Sequence, residues 1–122
     1  MAYNPYQQFM QQSVATMTPG QILVKLYEKC EVELNKAVYY IEHKEFENAN
    51  KAIQKTQKIV ETLDSTLKMK YDVSSNLAKL YDFFRHSLVE ANIDKDAEKL
   101  RSLVPFFTEL KVTFAEAEKK VS

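Results

Sequence analysis

Glycine and proline are scarce in this chain, which has one glycine and three prolines among 122 residues. The turns that join β-strands usually need several of both, because those positions require unusual backbone angles. A chain with so few is therefore predicted to consist of long helices joined by short links. Its length suits a single domain with one hydrophobic core.

Cysteine and histidine are also rare, and this restricts the chemistry that the chain supports. Cys30 is the only cysteine, so no internal disulfide can form, which fits a reducing compartment. His43 and His86 are the only imidazoles, and Tyr40 and Phe83 stand three residues before them, where a di-iron bundle carries glutamates. A zinc site needs more cysteine and histidine ligands than this chain offers. We therefore predict no metal, no cofactor and no enzymatic activity.

Neither sign of charge is in excess, because 17 lysines and arginines balance 17 aspartates and glutamates. A net charge of zero gives no long-range attraction to nucleic acid or to an anionic membrane surface. No apolar run approaches the ~20 residues of a membrane-spanning helix, and the N-terminus lacks the basic start and apolar core of a secretory signal. The chain is predicted to be cytoplasmic, with no nucleic-acid partner and no membrane insertion.

What the chain does contain is a series of amphipathic helical patterns, with apolar residues recurring at steps of three, four and seven. These patterns predict helices at about residues 19–43, 45–69, 73–91 and 95–119. Links of a few residues imply that consecutive helices are antiparallel. The predicted fold is an all-α, antiparallel up-down four-helix bundle over residues 18–122, preceded by an N-terminal cap segment at residues 1–17.

Local signals support the predicted helix boundaries. The run Thr18-Pro19-Gly20-Gln21 has the spacing of a capping box, with proline at the first helical position. Asp72 is a candidate cap for the third helix, and Asn92 is a candidate for the left-handed residue that ends it. Pro105 is predicted to bend the fourth helix without dividing it, because the apolar stripe continues in phase on both sides.

Residues 1–17 differ from the rest, since no charged side chain occurs before Lys25. Tyr6, Phe9 and Val14 are apolar at helical spacing among glutamines. One interpretation is a fraying terminus, and the other is a cap that lies on the bundle. The cap is favoured, because a tail left in water rarely carries so many aromatic and aliphatic side chains.

Seven further residues of the apolar surplus lie beside or outside the narrow helical stripes: Tyr39, Tyr40, Ala52, Ile59, Phe83, Leu103 and Phe106. They either widen the buried band of each helix or line an exposed binding groove. For each residue alone the core is the favoured place, whereas for the set at least one exposed groove is predicted. The candidate binding residues are five of this set, Ala52, Ile59, Phe83, Leu103 and Phe106, together with Tyr6, Phe9 and Val14.

Several motifs, taken in order, resemble the flagellar export chaperones of the FliS family. They are Asn4-Pro5-Tyr6-Gln7-Gln8-Phe9, Gln12-Ser13-Val14-Ala15-Thr16, Leu26-Tyr27-Glu28 and Leu80-Tyr81-Asp82-Phe83. The chain departs from the family where Thr16-Met17-Thr18-Pro19 replaces the usual Thr-Ala-Ser-Pro, and where Val73-Ser74-Ser75 replaces a glycine pair. The resemblance spans nearly the whole chain.

The resemblance implies a four-helix bundle that binds the C-terminal segment of flagellin, which is unstructured in the free subunit. Such a chaperone prevents premature polymerisation in the cytoplasm and keeps the subunit competent for type III flagellar export. The resemblance also implies that the N-terminal segment covers part of the hydrophobic surface until the client displaces it, and it allows components of the export apparatus as further partners. We expect a monomer or a weak homodimer. The alternative is a helical adaptor or phosphorelay-type bundle without a flagellin role.

Overall fold

A computed structural model describes residues 17–70 and 75–121, and within these ranges every regular element is an α-helix. The helices are α1 (Pro19–Glu42), α2 (Phe46–Lys70), α3 (Ser75–Asp94) and α4 (Ala97–Val121). The all-helical bundle predicted from the apolar periodicity is therefore confirmed. Among the described residues, no helix combines the length and the apolar character needed to cross a membrane. Residues 1–16 of the predicted cap segment and Asp72 fall outside the described ranges.

The start of α1 follows from its first few residues. The backbone N–H of Gln21 donates to Thr18 Oγ1 at 3.2 Å, and the backbone N–H of Thr18 donates to Gln21 Oε1 at 3.0 Å. This is the predicted capping box, with Pro19 in the first turn. Gly20 has a separate role, because a Cβ atom there would lie 2.0 Å from Oε2 of Glu118. The glycine thus lets a carboxylate of α4 approach the N-terminus of α1.

The two helix ends at one end of the bundle use lysine where glycine is usual. Lys44 follows the end of α1 with φ of 60°, and Lys95 follows α3 with φ of 51°. In both cases the next residue donates its backbone N–H to a carbonyl five residues earlier, which is the Schellman arrangement. For the first of these ends, the bond joins Glu45 N to Tyr40 O at 2.7 Å.

The predicted end of α3 at Asn92 was wrong. The helix continues to Asp94, and the left-handed residue is Lys95. The side chain of Asn92 instead donates to Asn50 Oδ1 at 2.7 Å and accepts from Lys95 Nζ at 2.9 Å. Because this cross-helix bond needs Asn92 on the helix face toward α2, the helix continues three residues beyond the predicted end at residue 91.

Pro105 lies inside α4, which remains one helix from Ala97 to Val121. The prediction that this proline does not divide the helix is confirmed. The apolar stripe on both sides holds the two halves in one phase, so packing offsets the hydrogen bond that proline cannot donate.

Polar contacts between helices show that neighbours run antiparallel. Between α1 and α4, Arg101 pairs with Glu42 at 2.7 Å, whereas Lys111, ten residues later, pairs with Glu31 at 2.7 Å. Contacts between α2 and α3, and between α3 and α4, run in the same opposed sense. Each helix packs on its two neighbours in the order α1, α2, α3, α4, and α4 closes on α1. Consequently, the α1–α2 seam and the α3–α4 seam lie on opposite sides of the bundle.

The core contains aliphatic and aromatic side chains from all four helices. Its members include Leu23, Tyr27, Cys30, Leu34, Ile53, Val60, Leu63, Tyr81, Phe84, Leu88, Leu100, Leu103 and Phe107. Inside the core, the hydroxyl groups of Tyr27 and Tyr81 form a hydrogen bond of 2.7 Å, which gives each buried hydroxyl a polar partner. Cys30 is fully buried, as its place on the apolar stripe predicts, and burial together with Glu31 and Glu33 raises the pKa of its thiol. A thiol held in this way is a packing residue and not a nucleophile.

Candidate functional site

The structure divides the candidate binding residues among three environments. Tyr6, Phe9 and Val14 lie outside the described residues. Leu103 is fully buried and Ala52 is 3% exposed, so both belong to the core. Ile59 is half-buried at the α1–α2 seam. Phe83 and Phe106 are 45% and 39% exposed and meet at the α3–α4 seam.

The exposed pair is part of an aromatic cluster, which we call the aromatic seam and which consists of Phe83, Phe84, Phe106 and Phe107. The inner rings of Phe84 and Phe107 are stacked at a centroid distance of 4.3 Å. The outer rings of Phe83 and Phe106 meet edge to face at 5.5 Å. Phe106 also contacts Phe84 at 6.0 Å, so the outer rings rest on the inner ones. The exposed aromatic surface is thereby held in place before any partner binds, which lowers the entropy cost of binding.

The aromatic seam arises from two Phe-Phe dipeptides on neighbouring antiparallel helices. Successive residues of a helix point about 100° apart, so each dipeptide directs one ring inward and the other toward the groove. Phe84 and Phe107 occupy the core positions, and Phe83 and Phe106 therefore emerge on the same side of the α3–α4 contact. The paired dipeptides are the sequence signal that specifies this surface.

A different surface runs along the α1–α2 seam, and the sequence analysis named two of its residues, Ala52 and Ile59, but not its lysines. Its floor is formed by half-buried Leu26 and Ile59, and exposed Thr62 and several lysines also line it. It adjoins a cleft of about 140 Å³ between the same helices, and Lys55 belongs to both. We call this surface the lysine groove. Its residues are Leu26, Lys29, Glu33, Lys36, Tyr40, Asn48, Lys51, Ala52, Lys55, Lys58, Ile59 and Thr62.

Glu33 is the unusual member of the lysine groove, because it is only 1% exposed. Lys29 Nζ lies 3.5 Å and Lys36 Nζ lies 3.6 Å from the same carboxylate oxygen, Oε1. Nevertheless, Oε1 makes no hydrogen bond with any described group. The two lysines thus compensate the buried charge electrostatically, while the oxygen keeps an unused acceptor site.

A third apolar surface lies on the outer side of α4, next to its internal proline. A shallow groove there is lined by Val104, Pro105, Thr108 and Val112, and Val112 is half exposed. On the side facing α1, Thr108 and Lys111 both donate to the carboxylate of Glu31. Burial alone would raise the pKa of Glu31, but these hydrogen bonds and the lysine charge lower it.

The histidines do not assemble a reactive site with their neighbours. Nδ1 of His43 lies 2.8 Å from the carbonyl oxygen of Tyr39, and Nδ1 of His86 lies 2.8 Å from that of Asp82. Both rings are exposed at helix surfaces. Within the described part of the chain, no group of histidine, cysteine or carboxylate residues is arranged to hold a metal ion.

Comparison with known proteins identifies the family. The model of the family described as "Flagellar protein FliS" matches residues 2–121. A protein of Bacillus subtilis (strain 168), named flagellar secretion chaperone FliS, is 32% identical over 114 residues, which covers 93% of this chain and 86% of the relative. The resemblance drawn from the motifs is thus confirmed, and the chain belongs to the family of the flagellar protein FliS.

Proposed function

We propose that this protein is a cytoplasmic export chaperone that binds the disordered C-terminal segment of flagellin and keeps it from polymerising before export. Membership of the FliS family and the name of the Bacillus subtilis relative support the chaperone role. The observation that carries the choice of an apolar client segment is the aromatic seam. Its outer rings are exposed, although they rest on a core-like stack.

Two exposed rings on a rigid base are a suitable anchor for a segment that folds as it binds. Hot spots at interfaces are typically aromatic residues near the centre of a well-packed patch. A disordered client must lose chain entropy on binding, and this cost keeps the complex reversible. Reversible binding suits a chaperone, because the client has to be released for export.

The positions of the two seams favour a client that wraps around the bundle. The aromatic seam and the lysine groove lie on opposite sides, so a compact globular partner would not reach both at once. An extended segment of some tens of residues spans that distance, since an extended chain covers about 3.3 Å per residue. We therefore expect one client segment per chaperone.

Residues 1–17 are proposed to act as a detachable cap on the apolar surface. They carry Tyr6, Phe9 and Val14 without any charged residue. Burying such side chains contributes at most about 2 kcal/mol each, before the entropy of ordering the segment is subtracted. A longer client segment buries more apolar surface and displaces the cap. A chain that lacks residues 1–15 should therefore bind more hydrophobic dye than the intact chain. Unchanged dye binding, oligomeric state and client affinity would reduce the segment to a tail.

The deciding experiment is co-purification with flagellin. Intact flagellin should bind at about one to one, and flagellin without its C-terminal helix region should not bind. Calorimetry should show a negative heat-capacity change and an unfavourable entropy offset by enthalpy, because the tail folds on binding. Equal affinity for intact and tail-deleted flagellin would refute the proposal and favour a helical adaptor instead.

A further inference from the structure

The lysine groove concentrates positive charge on a chain whose net charge is zero. Five lysines line it: Lys29, Lys36, Lys51, Lys55 and Lys58. The only carboxylate among the lining residues is the buried Glu33. Two of the lysines lie beside that carboxylate, and the other three form no ion pair with any described residue. The groove therefore carries an excess of uncompensated positive charge above an apolar floor.

The floor of the lysine groove selects a partner with apolar side chains on one face. Leu26 and Ile59 are half-buried on facing helices, so each leaves part of its side chain for a partner to cover. A strip of this kind between two helices fits an amphipathic segment whose apolar residues recur three or four positions apart. The lysine stems add apolar surface along the edges, while their ammonium groups stay in water.

The charge distribution specifies the polar face of that partner. Acidic side chains that flank the apolar residues would meet Lys51, Lys55 and Lys58, whereas basic side chains would be repelled. Glu33 adds a second feature, because its Oε1 accepts no hydrogen bond from a described group and can accept one from a partner. The cleft beside Glu33 is lined by Asn48 and Tyr40 and holds about 140 Å³, enough for an amide or hydroxyl side chain.

From these features we infer that the lysine groove binds an acidic amphipathic segment of the export client, with a hydrogen-bond donor seated at Glu33. The inference rests on the proposed chaperone function for the identity of the client, but the chemistry of the groove stands on its own contacts. The aromatic seam then binds an apolar part of the client, and the lysine groove binds a negatively charged part. Charge complementarity of this kind contributes mainly to specificity and to the rate of association.

Three synthetic peptides of about 18 residues test the inference directly. Each carries leucines at helical spacing on one face, and the other face carries glutamate, glutamine or lysine. Fluorescence anisotropy with the intact chain should show the acidic peptide binding at least about tenfold more tightly than the glutamine peptide. The lysine peptide should bind most weakly. The preference should shrink between low and high salt, because screening weakens exposed charge pairs.

Variants locate the binding to the lysine groove. The double substitution Lys51→Glu/Lys55→Glu should remove the preference for the acidic peptide. The matched control Lys79→Glu/Lys120→Glu reverses the same amount of charge at exposed positions of α3 and α4, and should keep the preference. Circular dichroism establishes that each variant is folded.

The outcomes separate the inference from the function on which it rests. Equal affinity for the three peptides, or equal effects of the groove and control variants, would overturn the inference. The intact chain would still capture flagellin in that case, and the proposed function would stand. Failure of the intact chain to capture flagellin would overturn the proposed function. Loss of the acidic preference in the groove variant alone would support the inference in either case.

Discussion

Leu103 and Phe83 are both candidate binding residues, but the structure buries the first and exposes the second. Comparing their alanine variants tests this difference. Leu103 is fully buried, whereas Phe83 is 45% exposed in the aromatic seam. Truncating a buried leucine to alanine costs about 2–5 kcal/mol, from lost burial and the remaining cavity. With about 3 kcal/mol lost, Leu103→Ala should lower the thermal midpoint of this domain by about 12 °C.

Phe83→Ala should instead act mainly on binding. A phenylalanine has about 200 Å² of surface, so the 45% that is exposed leaves about 90 Å² for the client to cover. At about 25 cal/mol per Å², this area is worth about 2 kcal/mol, or about 30-fold in Kd. The buried part of the ring also supports the fold, and losing it costs at most about 3 kcal/mol of stability. Melting temperature alone therefore does not distinguish the two variants.

The assay is client affinity measured well below both thermal midpoints. A domain with ordinary stability remains almost fully folded there after losing about 3 kcal/mol. Under these conditions Leu103→Ala should bind flagellin within about twofold of the unmodified chain, and Phe83→Ala about 30-fold more weakly. Comparable weakening by Leu103→Ala would place that residue at the binding surface and refute the assignment. Unchanged binding by Phe83→Ala would remove the aromatic seam from the interface.

Two further predictions concern stability. Lys44→Gly should raise the free energy of unfolding by up to about 1 kcal/mol, because glycine adopts the left-handed conformation of this position at no steric cost. Chemical denaturation measures this free energy. An unchanged value would argue against the Schellman end. The lowered pKa of Glu31 contributes stability that is present above its unfolded pKa and is lost as pH falls through the folded value. Glu31→Gln should therefore reduce stability at pH 7 and flatten its decline toward pH 3, and an unchanged pH profile would contradict the role of Lys111 and Thr108.

Local sequence was sufficient to predict several features of the helices. The capping box at Thr18, the buried stripe that includes Cys30, and the continuity of α4 through Pro105 all follow from neighbours along the chain. Helix periodicity and cap chemistry depend on residues within one or two turns, which is why they can be read without knowing the fold. The family resemblance came from the same local motifs.

The end of α3 needed information from another helix. Asn92 has the side chain of a helix-ending residue, but its bond to Asn50 on α2 keeps it within the helix, and Lys95 ends the helix instead. Propensity ranks Asn above Lys at a left-handed position. The tertiary contact outweighs that preference, because it satisfies two amide side chains at a partly buried position.

The sequence by itself determined four amphipathic helices, their order and a surplus of apolar residues. Only the tertiary structure decided that Leu103 and Ala52 are buried and that Phe83 and Phe106 are exposed. The position of a residue on a helical stripe gives the direction in which its side chain points. Whether that side chain is exposed depends on how closely the neighbouring helix packs against it. The distribution of charge is likewise decided by the fold. A net charge of zero does not say where the charged residues lie, and the antiparallel pairing of α1 with α2 places five lysines along one groove.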